Sequence, residues 1–321
     1  MNAVVAVDGG GSKTDIAVLS SEGQVLVRTR LEAFAEHVIG QQSTVERLDT
    51  EVGQLLAGIG NPDVVSASVC FSDIDFPFQV KACTEKLRHC RWGQGFLFVD
   101  NDTFALLRAG TDQTTAVAVV CGTGMNCVGR ADDGRTARFA AIGEVSGDWG
   151  GGSGLGTEAI WHAARAADGR GPATMLEPLV LQQLGQPSMD ALIIAFQTDE
   201  LEWHDVPRLA PLVFKAAVAG DPVAVSLIER QADEIVAFAV ASLNRLGLMG
   251  QKCPVVLGGG VIAARHEILL KAVDERLAQR APGTYAVVVA DPPLVGAALL
   301  AFDALGAGAE VQQRVRTGLA A

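Results

Sequence analysis

The sequence predicts an α/β protein of two domains, each built on a β-sheet of its own. Three observations support this prediction: an apolar strand that runs into a glycine loop, a mixture of strand and helix patterns behind it, and a second glycine hairpin about 115 residues later. A chain of 321 residues has room for two domains of roughly 150 residues each.

The chain opens with residues 3–14, AVVAVDGGGSKT, in which a buried strand ends at Asp8. Three glycines then allow a tight turn that can bring backbone N–H groups against an anion. Residues 15–19 and 24–28 are again apolar-rich, so the loop joins two strands. A carboxylate followed by a backbone cradle suits the terminal phosphates of a nucleotide and their magnesium ion.

This context separates the loop from other phosphate-binding loops. A Walker loop and a dinucleotide fingerprint both lead into a helix, whereas a strand follows here. A phosphate-binding β-hairpin is the functional interpretation, and an ordinary glycine-rich hairpin is its alternative.

The elements that follow complete a first domain. Residues 43–59 have helical periodicity, residues 64–71 predict a buried strand, residues 78–90 a helix and residues 95–99 another strand. Together with the opening strands, the order is three strands, helix, strand, helix, strand. That order is typical of a ribonuclease-H-like domain.

The pattern then restarts in a second domain. We place the boundaries at residues 1–112 and 113–292, with a C-terminal helix, residues 293–321, that could join the first domain. The predicted elements are strands over residues 115–121, 126–130, 135–139, 254–257 and 285–289, helices through 155–246, 267–280 and 293–305, and a tail beyond Ala307 that is frayed or weakly helical.

Composition restricts the partners. The net charge of −12 without a basic stripe argues against nucleic acid, and no apolar run reaches the ~18–20 residues of a membrane helix. We therefore predict a cytoplasmic protein without a membrane partner. The six cysteines include no C-x-x-C pair and are interpreted as structural thiols.

A carboxylate turn follows the strand at residues 95–99. Asp100, Asn101 and Asp102 stand between this strand and a helix, and Asp102 could accept a proton from an attacking hydroxyl. Asp100 is expected to cap or brace the turn. The alternative is that one of the two aspartates is only the N-cap of the helix.

Three further segments are glycine-rich. Gly122, Thr123 and Gly124 form a second candidate anion-binding turn between strands, and residues 258–260 end a strand where an adenosine could lie against bare backbone. Residues 143–156 hold seven glycines around Asp148, with Glu144 and Glu158 near it in sequence. Asp148 could bind paired sugar hydroxyls, and a flexible surface loop is the alternative.

In this order and spacing, these segments resemble the BadF/BadG/BcrA/BcrD ATPase family, which includes N-acetylglucosamine kinases. The resemblance implies two ribonuclease-H-like domains of the actin-like ATPase fold that close over ATP in an inter-domain cleft. It also implies a small-molecule sugar substrate and transfer of the γ-phosphoryl to a hydroxyl, by analogy the 6-hydroxyl. The implied residues are Asp8 for Mg²⁺; Gly10, Gly11, Ser12, Lys13, Thr14, Gly122, Thr123 and Gly124 for the phosphates; Gly258, Gly259 and Gly260 for adenosine; Asp102 for catalysis; and Asn101, Asp102, Gly147 and Asp148 for the sugar.

One segment departs from the family pattern. Where sugar kinases of this family carry Gly-x-x-Asn, residues 32–40 read EAFAEHVIG. The asparagine is missing and Glu36 and His37 stand nearby instead, so the acceptor could be an amino sugar whose ammonium pairs with Glu36. The sequence leaves open two other functions, an ATP-driven activator of a dehydratase or reductase and a non-catalytic ATP/sugar sensor. It also leaves open whether the protein forms a homodimer.

Overall fold

The computed structural model describes residues 1–11, 13–33 and 36–320, and side chains of residues 36–41 are not described. The strands are β1 (Asn2–Gly9), β2 (Lys13–Ser20), β3 (Val25–Glu32), β4 (Asp63–Phe71), β5 (Phe96–Asn101), β6 (Ala116–Cys121), β7 (Met125–Arg130), β8 (Thr136–Arg138), β9 (Cys253–Gly258) and β10 (Thr284–Val288). The helices are α1 (Glu36–Gly58), α2 (Pro77–Leu87), α3 (Asp102–Gly110), α4 (Gly151–Ala167), α5 (Leu176–Gln183), α6 (Met189–Gln197), α7 (Ala210–Val218), α8 (Pro222–Leu246), α9 (Gly260–Ala263), α10 (Glu267–Arg280), α11 (Pro293–Asp303) and α12 (Ala309–Ala320).

The chain forms two compact units. The first unit consists of Met1–Ala118, Arg138–Ala140 and Val289–Ala321, and the second of Val119–Ala137 and Ala141–Val288. The strands form two five-stranded sheets, in the orders β3-β2-β1-β4-β5 and β10-β9-β6-β7-β8. The α/β fold class predicted from the sequence is confirmed.

In the first unit, β1 is the central strand of its sheet. It pairs antiparallel with β2 and parallel with β4, and β4 pairs parallel with β5. Every residue of β1 after Asn2 is buried, because both faces of the strand are covered. Val5 and Val7 share one apolar cluster with Leu48 and Val52 of α1. The predicted order of strands and helices in this unit is confirmed.

Helix α3, which begins at Asp102, packs closely on α11. A Cβ atom on Gly296 of α11 would overlap the carbonyl of Ala105 in α3, so only a glycine permits this approach. The buried guanidinium of Arg108 joins α3 to the C-terminal part of the chain through a 2.7 Å bond to Asp303. Residues of the C-terminal segment thus fix the position of α3.

Some boundaries differ from the predictions. The tail expected to be frayed or weakly helical forms α12, whose Val315 and Leu319 are buried, so apolar packing completes a helix of weak intrinsic pattern.

Among the described residues, no single helix is long and apolar enough to cross a bilayer, although the bent pair Trp203–Val218 and Pro222–Leu246 reaches that length and apolarity together.

The contact between α3 and α11 leads to a stability prediction. Gly296→Ala should lower the free energy of unfolding by about 1–3 kcal/mol, because the added methyl group has no space against Ala105. Gly53→Ala, at an exposed position of α1, is the control, since no atom lies within 4 Å of the new Cβ. It should raise stability by roughly 0.5–1 kcal/mol. Urea unfolding of both variants tests the prediction, and equal effects would contradict it.

Candidate functional site

The turn between β1 and β2 holds the first predicted site residues. Asp8 lies opposite Asp15 in the antiparallel register, and the N–H of Gly10 donates to the Lys13 carbonyl over 2.9 Å. A Cβ on Gly11 would meet no atom within 4 Å, so its backbone faces open space. These features allow a ligand to approach the turn closely.

The other predicted residues of this turn differ in their contacts and in their burial. The Lys13 ammonium donates to Asp15 over 2.7 Å, so it is already engaged in an ion pair. Thr14 is completely buried. Ser12 lies outside the described residues, and so does the Glu36 side chain, which leaves both assignments as predictions.

Asp8 is a carboxyl group whose ionisation is costly. Its removal from water raises its pKa from 3.8 to about 8, with further contributions from the negative charges of Asp102 and Asp15. A bound cation would offset both the burial and the repulsion. Asp8 can therefore serve as a cation ligand.

A cation bound at Asp8 would have to be one that needs few protein ligands. Among the described residues, no group of three or more His, Cys, Asp or Glu side chains could hold a metal by itself. Mg²⁺ usually keeps several waters and binds through one or two carboxylates together with substrate phosphates. Asp8, beside the glycine turn, fits a Mg²⁺ ion that arrives with a nucleotide.

Asp102, the first residue of α3, lies in the same unit as Asp8. Burial raises the pKa of its carboxyl group from 3.8 to about 6, and the charge of Asp73 raises it further. A carboxylate with a pKa this close to neutral is suited to accept a proton and release it again.

Asn101, not an aspartate, is the N-cap of α3. Its Oδ1 accepts from the N–H of Thr103 over 2.9 Å, and its Nδ2 donates to Asp75 over 2.9 Å and to the Ser72 carbonyl over 3.1 Å. The alternative that Asp102 or Asp100 caps this helix is therefore wrong. Because Asn101 is 2% exposed and its amide is engaged, its predicted contact with a sugar stays a prediction.

In the second unit, the predicted turn at Gly122 and the glycines after β9 are in direct contact. Gly259 has a φ of +92°, and a Cβ there would collide with the backbone of Cys121 and Gly122. Of the predicted residues, Gly259 and Gly260 therefore lie against Gly122.

The start of α4 also fixes this turn. The N–H groups of Gly152 and Ser153 donate to the carbonyls of Gly122 and Thr123, each over 2.8 Å. These donors belong to the first turn of a helix, where N–H groups have no partner within the helix. The turn and the helix end thus satisfy each other's backbone groups.

A cavity of about 220 Å³ opens beside these glycines. Phe214 of α7 and His266 stack on each other, with 4.0 Å between ring centroids and 10° between planes. Burial lowers the pKa of His266, which favours the neutral ring. The apolar walls and flat rings suit a planar heterocycle; the lining includes Gly122, Thr123, Pro207, Ala210, Pro211, Gly260, Val261 and Ala264.

A second cavity, of about 300 Å³, brings Gly124 and Asp148 together. Asp148 accepts from the Ser146 hydroxyl and, over 3.3 Å, from the Gly143 N–H. Gly147, which precedes it, is in the left-handed region with a φ of +82°, as the turn requires. The loop around Asp148 is thus held by its own hydrogen bonds.

Trp149 forms part of the same cavity. Its indole N–H donates to Glu158 over 3.2 Å, and the guanidinium of Arg230 lies 3.9 Å from its ring centroid. Arg230 and Glu158 are also paired at 3.3 Å. These contacts place Glu158, named in the sequence only for its proximity, in the same cavity as Asp148.

Gln231 was missed by the sequence reasoning. This fully buried side chain on α8 accepts from the N–H of Gly151 over 2.8 Å, and a Cβ on Gly150 would collide with it. It supports the chain just before α4. A polar residue on the apolar face of α8 was the available signal.

The chain is also similar to a known protein family. Residues 5–301 match the model of the BadF/BadG/BcrA/BcrD ATPase family. The chain belongs to this family. The resemblance inferred from the sequence is thereby confirmed.

Members of the BadF/BadG/BcrA/BcrD family and their structural neighbours include kinases. The chain is 27% identical to an N-acetyl-D-glucosamine kinase of Dictyostelium discoideum, over 93% of this chain and 97% of the relative. It is 28% identical to an N-acetylmuramic acid/N-acetylglucosamine kinase of Clostridium acetobutylicum, over 82% and 86%. A crystal structure from Chromobacterium violaceum, of a protein proposed to be an N-acetylglucosamine kinase, has a TM-score of 0.70 at 24% identity and covers 93% of this chain and 98% of its own. This last likeness concerns the fold alone.

The raised pKa of Asp8 leads to a prediction for the ligand-free protein. Between pH 4 and 8 the folded chain keeps a proton that the unfolded chain releases, so stability should fall as pH rises through this window. Asp8→Asn should remove this loss, so that its stability relative to the wild type rises from pH 5 to pH 8. Urea unfolding at pH 5 and 8 measures it. Asp63→Asn, at an exposed position, is the control, and an unchanged pH dependence in Asp8→Asn would contradict the assignment.

Proposed function

We propose that this chain is an ATP-dependent kinase that transfers the γ-phosphoryl group to a hydroxyl of an amino sugar such as N-acetylglucosamine or glucosamine. The observation that carries the proposal is Asp102, a carboxylate of raised pKa in the same unit as the Asp8 glycine turn. The curated relatives support the substrate class, because both are named as kinases of N-acetylglucosamine.

In the proposed reaction, Asp102 accepts the proton of the sugar hydroxyl as that oxygen attacks the γ-phosphorus of ATP. The bond from the γ-phosphorus to the bridging oxygen breaks, and ADP leaves. Catalysis of this kind depends mostly on positioning and charge neutralisation. A Mg²⁺ ion held by Asp8 would supply positive charge to the phosphates. The 6-hydroxyl is the acceptor proposed by analogy.

The second unit supplies the proposed nucleoside contacts. The flat, apolar cavity lined by Phe214 and His266 is assigned to adenine, with Gly258, Gly259 and Gly260 against the adenosine. Gly122, Thr123 and Gly124 are assigned to the phosphates, as are Gly10, Gly11, Ser12, Lys13 and Thr14 of the first unit. Asp148 and Gly147 are assigned to the sugar, together with Asn101 and Glu36.

The activator alternative receives no support from the cysteines. All six side chains are buried. Activators of that kind hold an iron–sulfur cluster between two subunits, which needs cysteine thiolates at a surface. The buried thiols of this chain are therefore poorly placed to be its ligands.

The function is tested by ADP release with MgATP and a panel of glucosamine, N-acetylglucosamine, glucose, mannose, N-acetylmannosamine and no sugar. One of the two glucosamine-type sugars should give the highest kcat/KM. Asp102→Asn should lower kcat by about 10²–10⁴-fold, since it removes the general base. Asp63→Asn should match the wild type. Equal ADP release with and without sugar would overturn the proposal.

The pKa of Asp102 sets the expected pH profile. The carboxyl group accepts a proton only when ionised, so kcat/KM should fall about tenfold per pH unit below about pH 6. An aspartate with an ordinary pKa would instead keep the enzyme active down to about pH 4. Initial rates between pH 4.5 and 8 distinguish these cases, after confirming that the protein remains folded across the range.

A further inference from the structure

Arg138 contacts the turn that carries Asp102. Its guanidinium forms a two-pronged ion pair with the carboxylate of Asp100, whose side chain is 9% exposed. A buried carboxylate without a partner is expensive, and the planar fork of arginine matches both of its oxygens. Arg138 therefore compensates a charge two residues from the proposed base.

Asp100 passes this constraint along the turn. Its Oδ1 accepts from the backbone N–H of Asn101 over 2.7 Å. Asn101 in turn caps α3 by accepting from Thr103 over 2.9 Å. These bonds run continuously across Asp102, so the orientation of the Asp100 carboxylate influences the backbone from which the base projects.

The same guanidinium also reaches the other side of Asp102. It lies 4.6 Å from the ring centroid of Phe104, a buried residue of α3. Arg138 thus touches the residues two before and two after the proposed base. It comes from a distant part of the sequence, in a short segment, Arg138–Ala140, that clusters with the first unit between two stretches of the second.

We propose that Arg138 is a positioning residue for Asp102. It holds Asp100 as a compensated carboxylate and stacks on Phe104, and so it keeps the start of α3 in the orientation that proton acceptance requires. The importance of this turn for turnover rests on the proposed kinase function. The fixing of the turn by Arg138 does not depend on that function. A misplacement of a catalytic group by about 1 Å can cost about 100-fold in rate.

The first test uses kinetics. Arg138→Met should lower kcat about 10- to 100-fold while KM for ATP changes less than about twofold. Arg138→Lys, which keeps the charge but not the fork, should fall between Arg138→Met and the wild type. Arg135→Met is the matched control, because Arg135 pairs with Asp133 in an exposed turn and should leave kcat unchanged.

The pairing partner supplies the decisive variant. Asp100→Asn added to Arg138→Met removes the uncompensated charge, while the side-chain carbonyl can still accept from the Asn101 N–H. The double variant should therefore recover most of the kcat lost in Arg138→Met. A double variant as slow as the single one, or a single variant with wild-type kcat, would overturn the proposal.

Hydrogen–deuterium exchange gives a readout that does not need turnover. Amides of residues 100–104 should exchange faster in Arg138→Met than in the wild type and in Arg135→Met. Unchanged exchange would overturn the positioning role even if kcat fell. A wild-type protein without sugar-dependent turnover would overturn the kinase function instead, and the exchange rates would then still decide whether Arg138 holds this turn.

Discussion

The burial of the Asp8 carboxyl group is the constraint on which the first unit depends. β1 is covered on both faces, so the carboxyl group at its end is removed from water and its pKa rises to about 8. Such a group opposes folding whenever it is ionised. The sheet tolerates this buried carboxyl group because β1 is paired with β2 on one side and with β4 on the other. The position of α3 does not depend on the carboxyl group, because it is fixed by the packing of Gly296 on Ala105.

In the second unit the constraint is a hydrogen-bonding one, and backbone N–H groups satisfy most of it. The carbonyls of its glycine turn at residues 122–124 need hydrogen-bond donors from outside the turn. The first N–H groups of α4 serve those carbonyls, and Gln231 holds the chain just before them. Because Gly259 presses on the same turn without a side chain, three segments distant in sequence fix one small piece of backbone. An anion there would meet a preformed surface.

The sequence revealed the parts of this architecture that have a local signal. Asp8 and Asp102 stand out in the sequence because each comes at the end of an apolar strand, and the glycine segments stand out because their composition is unusual; their roles stay predictions. Arg138 and Gln231 could not be assigned, since their roles depend on partners 38 and 80 residues away in sequence. The cap of α3 was missed for a different reason: Asp100, Asn101 and Asp102 are all competent caps, and only the backbone geometry selects Asn101.

The loop of Asp148 shows how a change in one motif can be balanced elsewhere. Its sequence is Gly-Asp-Trp-Gly, where the resemblance to the family implies Gly-Asp-Glu-Gly, so Trp149 stands in place of a carboxylate. Trp149 donates to Glu158 of α4, which lines the same cavity as Asp148. Glu144 of the loop lines the cavity too, and Glu158 adds a carboxylate from a helix. Because Arg230 pairs with Glu158 and covers the indole ring, that carboxylate is held in one orientation. The acidic groups around this cavity thus differ in position from those that the family pattern implies.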